Sequence, residues 1–245
     1  MLEHLILQLL LYMDFGGKPQ YEKLGNNCLV FNSNTALKPC NRVCNLQSIT
    51  DIDIAQLKEY FGTMPFTWVV SSQDNNTHEA LKKNDFIYKG DFLAMILENT
   101  NMQPINSNPL STTITNINDN DNFERWLELV ATSYTYDKQQ LRNAIINLKK
   151  VGKEDVILYS GLKNNILVSA CMVIQHEDSI SIHMLATHTD YRKQGFATSL
   201  LQTCIQEAKT SGYKKTLLLT SPKIKYLYQS LGFKESKLYQ IYASE

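Results

Sequence analysis

Residues 156–220 carry the pattern that most restricts the fold. Three apolar runs of strand period come in succession, then an amphipathic helical run, then another apolar run. Val156–Ser160 and Ile166–Gln175 flank Lys163, Asn164 and Asn165, turn residues that predict a hairpin. Ser179–Thr187 predicts a further strand. Leu200, Leu201, Cys204, Ile205 and Ala208 fall on one helical face, closed by Gly212. Lys215–Thr220 reads as a strand, Ile224–Leu231 as a short helix and Leu238–Ala243 as a last strand. Upstream, Thr112–Ile117 alternates like a strand. Asp121 or Asn122 then caps a helix whose apolar face is Phe123, Trp126, Leu127, Val130, Ala131 and Tyr134. A second helix begins near Lys138, with Gly152 just past its end. The predicted order β-α-α-β-β-β-α-β-α-β is mixed α/β (α+β): helices on a twisted sheet.

At roughly 100–200 residues per domain, 245 residues allow one large domain or two small ones. Asparagines crowd Glu98–Asn122 together with Pro104 and Pro109, a composition of linkers. The expected division is 1–105, a linker at 106–111, and 112–245. In the first part, Leu2, Leu5, Ile6, Leu9, Leu10 and Met13 have the spacing of a buried helix face, and the run is far shorter than the ~20 residues that span a bilayer. Asp51 or Asp53 caps a helix through Phe61, and Phe66–Ser71, Thr77–Lys83 and Phe92–Leu97 read as strand, helix and strand. Trp68–Ser71, Ala80–Phe86 and Phe92–Leu97 repeat the grammar of Leu217–Thr220, Leu227–Phe233 and Leu238–Tyr242. That repetition predicts an internal duplication, against the alternative of coincidence among short apolar runs.

Twenty-four basic and twenty-four acidic side chains leave no basic excess for nucleic acid or an anionic membrane. The balance conceals −3 over residues 1–110 and +3 over 111–245, too little to assign the charge of any ligand. Five scattered cysteines are no secreted disulfide framework, and Cys40 and Cys44 lack a nearby His for a zinc set. The expectation is a cytoplasmic protein with no metal, no nucleic acid and no membrane partner.

The chemistry concentrates in Ile182–Leu201. A strand runs into Arg192-Lys-Gln-Gly-Phe-Ala197 and on into an amphipathic helix. Amides at a helix N-terminus are unpaired and carry partial positive charge, so such a loop can hold an anion. Gly195 permits close backbone approach, Ala197 keeps the space clear, and Arg192 and Lys193 add charge. The segment is neither the G-x-G-x-x-G fingerprint nor a P-loop.

Arg192-x-x-Gly195-x-Ala197 between a strand and a helix resembles the signature of the GNAT superfamily of acyl-CoA-dependent N-acyltransferases. Tyr228-Gln-Ser-Leu-Gly-Phe233 resembles the Tyr-x-x-x-Gly-Phe that ends the family's fourth helix. The resemblance covers roughly 112–245 and is similar to two-domain members with a degenerate N-terminal domain. It implies a GNAT-like, mostly antiparallel twisted sheet flanked by helices, as a tandem of two related domains. It implies acetyl-CoA as cofactor, its pyrophosphate on Arg192, Lys193, Gln194, Gly195, Phe196, Ala197 and Thr198 and its pantetheine arm along Leu185, Ala186 and Thr187. It implies acetyl transfer to a primary amine, small molecule or peptide, by direct attack, with Tyr228 as general acid toward the thiolate. The other reading of Tyr228 is a core aromatic. His183 is the candidate base, acting through water, or else a structural histidine; Cys171 reads as packing. Nothing in 1–110 matches the anion loop, and Leu81 stands where the repeat places Tyr228. The alternative function is an acyl-CoA-binding or partner-binding module without turnover.

Overall fold

The computed structural model describes residues 22–25, 28–33, 35–45, 47–103, 111–115, 118–151 and 155–243. The N-terminal helix expected at Leu2–Met13, and nearly all of the linker, lie outside the described residues. The first half contributes β1 (Glu22–Leu24), β2 (Cys28–Phe31), β3 (Arg42–Asn45), α1 (Asp51–Phe61), β4 (Thr67–Ser71), α2 (Asn75–Lys83) and β5 (Ile87–Glu98). The second contributes β6 (Ser111–Ile114), α3 (Asn120–Tyr134), α4 (Lys138–Val151), β7 (Val156–Lys163), β8 (Ile166–Gln175) and β9 (Ser179–Thr187). It continues with α5 (Phe196–Thr210), β10 (Lys215–Thr220), α6 (Lys225–Ser230) and β11 (Lys234–Ala243).

The order predicted for the second half is the order observed. The hairpin between β7 and β8 turns on Asn164 and Asn165, both left-handed (φ 50° and 63°), as the tight turn that matches strand twist requires. Two caps differ from expectation. Asp119, rather than Asp121 or Asn122, caps α3, its carboxylate accepting from the Asn122 amide at 3.3 Å. Thr50 caps α1, and Asp53 serves at the third helical position.

Among the described residues eleven strands form one sheet in the order β1-β2-β3-β4-β11-β5-β10-β9-β8-β7-β6. β3 runs parallel to β4 and β9 parallel to β10; the other neighbours are antiparallel. The elements β1-β2-β3-α1-β4-α2-β5 therefore correspond to β7-β8-β9-α5-β10-α6-β11, and, β6 at one edge apart, the strand order reads the same from either end. The halves exchange their last strands: β11 lies between β4 and β5, and β5 between β11 and β10. The repeat extends to detail. The Phe86 amide donates to the Leu81 carbonyl (3.0 Å) and the Phe233 amide to the Tyr228 carbonyl (3.1 Å). Asp85 (φ 65°) and Gly232 (φ 98°) make the same left-handed turn.

Helices cover both faces. α3 and α4 bury Phe123, Trp126, Leu141 and Ile145 against strands of both halves. On the opposite face α5 and α6 bury Leu200, Leu201, Ile205 and Tyr228, and α1 and α2 bury Ile54, Leu57 and Leu81. Coverage on both faces explains why eight consecutive residues of β8, from Leu167 to Ile174, are buried instead of alternating. Among the described residues no helix is long and apolar enough to cross a membrane.

Candidate active site

The site begins where β9 and β10 part. They pair from Ser179–Lys215 to Ile182–Leu218 and no further, though β9 runs on to Thr187 and β10 to Thr220. A bulge drives the parting. His183 lies opposite Met172 and Ala186 opposite Ala170, so Met184 and Leu185 together face Cys171. Met184 has φ 53°, a left-handed conformation that costs a non-glycine residue about 1–2 kcal/mol and gathers at functional sites. The Tyr134 hydroxyl, from the end of α3, donates to the Leu185 carbonyl at 2.9 Å and holds the parted strand.

Beyond β9 the chain makes a short turn at Thr189–Tyr191 and enters α5 through left-handed Lys193 (φ 60°) and Gly195 (φ 85°). Gly195 is the N-cap and supplies no side-chain bond. The first helical bond runs from the Ser199 amide to the Gly195 carbonyl (2.9 Å), so the helix itself leaves the amides of Phe196, Ala197 and Thr198 unused. The Arg192 Nε donates to the Thr187 carbonyl (3.1 Å) and the Gln194 amide to the Asp190 carbonyl (2.9 Å); both bonds stiffen the loop.

This loop and the parted strands enclose a cleft of about 900 Å³, within the ~300–1,000 Å³ of small-molecule sites. Leu185, Ala186, Thr187, Arg192, Lys193, Gly195, Phe196, Ala197, Thr198 and Tyr228 line it; of the residues expected here from sequence, Gln194 is turned away to Asp190 and His183 lies elsewhere. A second cavity of about 380 Å³ adjoins it. The two share Phe92, Tyr134, Leu185, Leu219 and Tyr228. The smaller cavity is lined by His183 and, from the first half, Lys38, Arg42, Thr67, Val69 and Lys89.

Tyr228 stands on the wall common to both cavities. Burial pushes its phenol up to about 12, against the pull of a hydrogen bond with Thr220. It is therefore protonated throughout the neutral range. Its ring sits edge-on to Phe233, with centroids 5.9 Å apart. Tyr226, two residues earlier, is 71% exposed.

His183 Nε2 lies 2.7 Å from Ser181 Oγ, which lies 2.9 Å from His176 Nε2. One hydroxyl proton cannot serve two ring nitrogens, so at least one imidazole donates to this oxygen. Burial, then the Arg42 charge, then His176, lower the His183 pKa well below 6.5. The ring is neutral at pH 7 and able to accept a proton. Cys171 is fully buried, its sulfur 3.7 Å from that of Cys204. Burial pushes the Cys28, Cys40 and Cys44 thiols up to about 12, which keeps them protonated. Among the described residues no cluster of three metal-ligating side chains occurs.

Sequence reasoning missed Phe92, Tyr134, Lys38, Arg42 and Lys89. Tyr134 reads as one more apolar position on α3, and the others lie in the half without a motif.

A left-handed glycine cap thus opens on a parted parallel strand pair at a sheet crevice. Residues 154–235 match the acetyltransferase (GNAT) domain, a third of the chain. Its fold is similar to that of a GCN5-related N-acetyltransferase from Kribbella flavida, at 9% identity and TM-score 0.70, covering 99% of this chain and 94% of that one. A GCN5-related N-acetyltransferase from Sphaerobacter thermophilus aligns at 12% identity and TM-score 0.64, covering 91% and 82%. A tandem GNAT protein from the clavulanic acid biosynthesis pathway aligns at 10% identity and TM-score 0.57, covering 94% and 80%. No curated protein matches the chain in sequence.

Proposed function

We propose that this protein transfers an acetyl group from acetyl-CoA to a primary amine, of a small molecule or a peptide, by direct attack. The observation that carries the reading is the uncapped N-terminus of α5 opening on the same cleft as Tyr228. The cleft fits the cofactor. Its bare amides at residues 196–198 suit a pyrophosphate, and the backbone of Leu185–Thr187, beyond the last pairing with β10, suits an amide-bearing arm. Bound acetyl-CoA supplies an activated thioester.

This chain's residues do the rest. The loop at 192–198 anchors phosphate. The parted strand offers N–H groups to an acyl oxygen, the arrangement that stabilises developing negative charge. Neutral His183, in the adjoining cavity, takes a proton from the acceptor nitrogen, directly or through water. The nitrogen forms the C–N bond as the C–S bond breaks, and Tyr228 donates a proton to the departing sulfur. Residues 1–105 and 112–245 act as the two units of a duplication, the first having lost its cofactor loop and walling the acceptor cavity. Five buried free thiols fit a reducing compartment, the cytoplasm.

Titration calorimetry with acetyl-CoA tests the reading. Saturable binding is expected, and none at high micromolar concentration overturns it. CoA thiol release across an amine panel separates an enzyme from a module that binds without turnover.

A further inference from the structure

The cavity beside the cofactor cleft has a charge pattern opposite to that of the half that builds much of it. Residues 1–110 are net acidic by three charges. Yet the side chains they place on this cavity include Lys38, Arg42 and Lys89, and among the described residues no Asp or Glu lines it. Arg42 is half-buried at the start of β3, and its charge is felt across the cavity. It helps to lower the pKa of His183 on the opposite strand, and it pulls down those of Cys40 and Tyr136, which burial raises. Between the cations and the Tyr228 wall the lining is apolar: Val69, Ile182, Leu218 and Ile241.

Resting on the acetyltransferase reading above, we infer that the acceptor amine also carries a carboxylate: the cavity takes an α-amino acid with an apolar side chain. Arg42, Lys38 and Lys89 bind the carboxylate, the apolar wall takes the side chain, and the amine points toward Leu185 and Tyr228. A carboxylate withdrawn from water needs charged donors, and a guanidinium meets it with two parallel bonds. A polyamine would bring a second cation against three. About 380 Å³ suits a molecule of amino-acid size.

The test compares L-leucine and L-phenylalanine with their methyl esters and with putrescine, by kcat/KM and by calorimetry with and without CoA. The free acids are expected to exceed the esters by about 10-fold or more, the worth of a hydrogen bond to a charged group. Arg42→Met is expected to weaken phenylalanine binding by about 10-fold or more, and Lys38→Met to weaken it in the same direction, with methyl-ester and CoA binding unchanged in both. Esters or putrescine matching the free acids overturns the inference, as does phenylalanine binding indifferent to both substitutions. If Arg42→Met fails to fold, Lys38→Met and the wild-type comparison of acid with ester still decide. Failure to bind CoA sinks the acetyltransferase reading separately, because the calorimetric arm without CoA reads the carboxylate site alone.

Discussion

α1 and α5 occupy equivalent places in the two halves, and their first turns are finished in opposite ways. At α1, Thr50 Oγ1 accepts from the Asp53 amide (3.3 Å) and the Asp53 carboxylate accepts from the Thr50 amide (2.8 Å). The helix supplies its own anion. At α5 a bare glycine stands in the cap and no side chain intervenes. The neighbouring positions follow suit. The pairings Val43–Trp68 and Ile182–Leu218, which face α1 and α2 in one half and α5 and α6 in the other, make buried Cys44 the counterpart of His183. The Asn45 amide is bonded to Asp74 (2.6 Å) and Thr77 (3.3 Å), and Ser48 also reaches Asp74 (3.2 Å). Those bonds stitch the loop before α1 to the start of α2, where the second half keeps its cleft. Leu81, fully buried, replaces Tyr228. One architecture is thus closed by hydrogen bonds in one copy and left open in the other.

Removing the Tyr228 hydroxyl gives the second half the phenol-free state of the first. Tyr228→Phe should lower kcat by ~10²–10⁴, the range for a general acid, with acetyl-CoA affinity unchanged. An unchanged kcat would assign Tyr228 to packing. Next in size is a transplanted cap. Thr198 holds in α5 the place of Asp53 in α1. Thr198→Asp should weaken CoA binding roughly 100-fold, about 2.7 kcal/mol, by presenting a carboxylate to the phosphate amides. Calorimetry reads it, and unaltered affinity would mean that the pyrophosphate sits elsewhere.

His183, where the first half has Cys44, gives a pH effect. The folded pKa of His183 lies below 6.5, its ordinary value, so the unfolded chain binds the extra proton first as pH falls. Stability should hold above pH 6.5 and decline below it, by up to about 1.4 kcal/mol per pH unit from this group. His183→Asn, which removes the titrating ring, should shallow that decline in urea midpoints measured from pH 7.5 to 5. The smallest effect belongs to the cap itself. Asp53→Ala should cost about 1 kcal/mol in urea unfolding and leave CoA binding alone, since no residue of α1 lines the larger cleft.

The second half was legible because its strands and helices are long enough to show their periods, and because an anion loop needs a glycine at a fixed place. The duplication was legible through Phe86 and Phe233, which end their helices alike. What escaped depends on partners distant in sequence. β1, β2 and β3 are three or four residues long, too short to show a period. The exchange of β5 and β11 leaves no local mark, because an exchanged strand has the same alternation as one paired at home. The bulge at Met184 has no glycine to announce it. Arg42 and Lys38 join the site only because β3 and the turn before it reach a cavity formed with β9 and β11.

The strand exchange also sets a timetable for synthesis. β5 ends at Glu98, and the strand that separates it from β4 ends at Ala243. At ~5–20 residues per second, the ribosome takes roughly 7–30 s to make the intervening stretch. Until the second half is made, the nascent first half presents three unpaired strand edges, one on β4 and both of those on β5, flanked by apolar surface. Edges of that kind recruit other chains. β11 is therefore the strand that seals the sheet, joining β4 to β5.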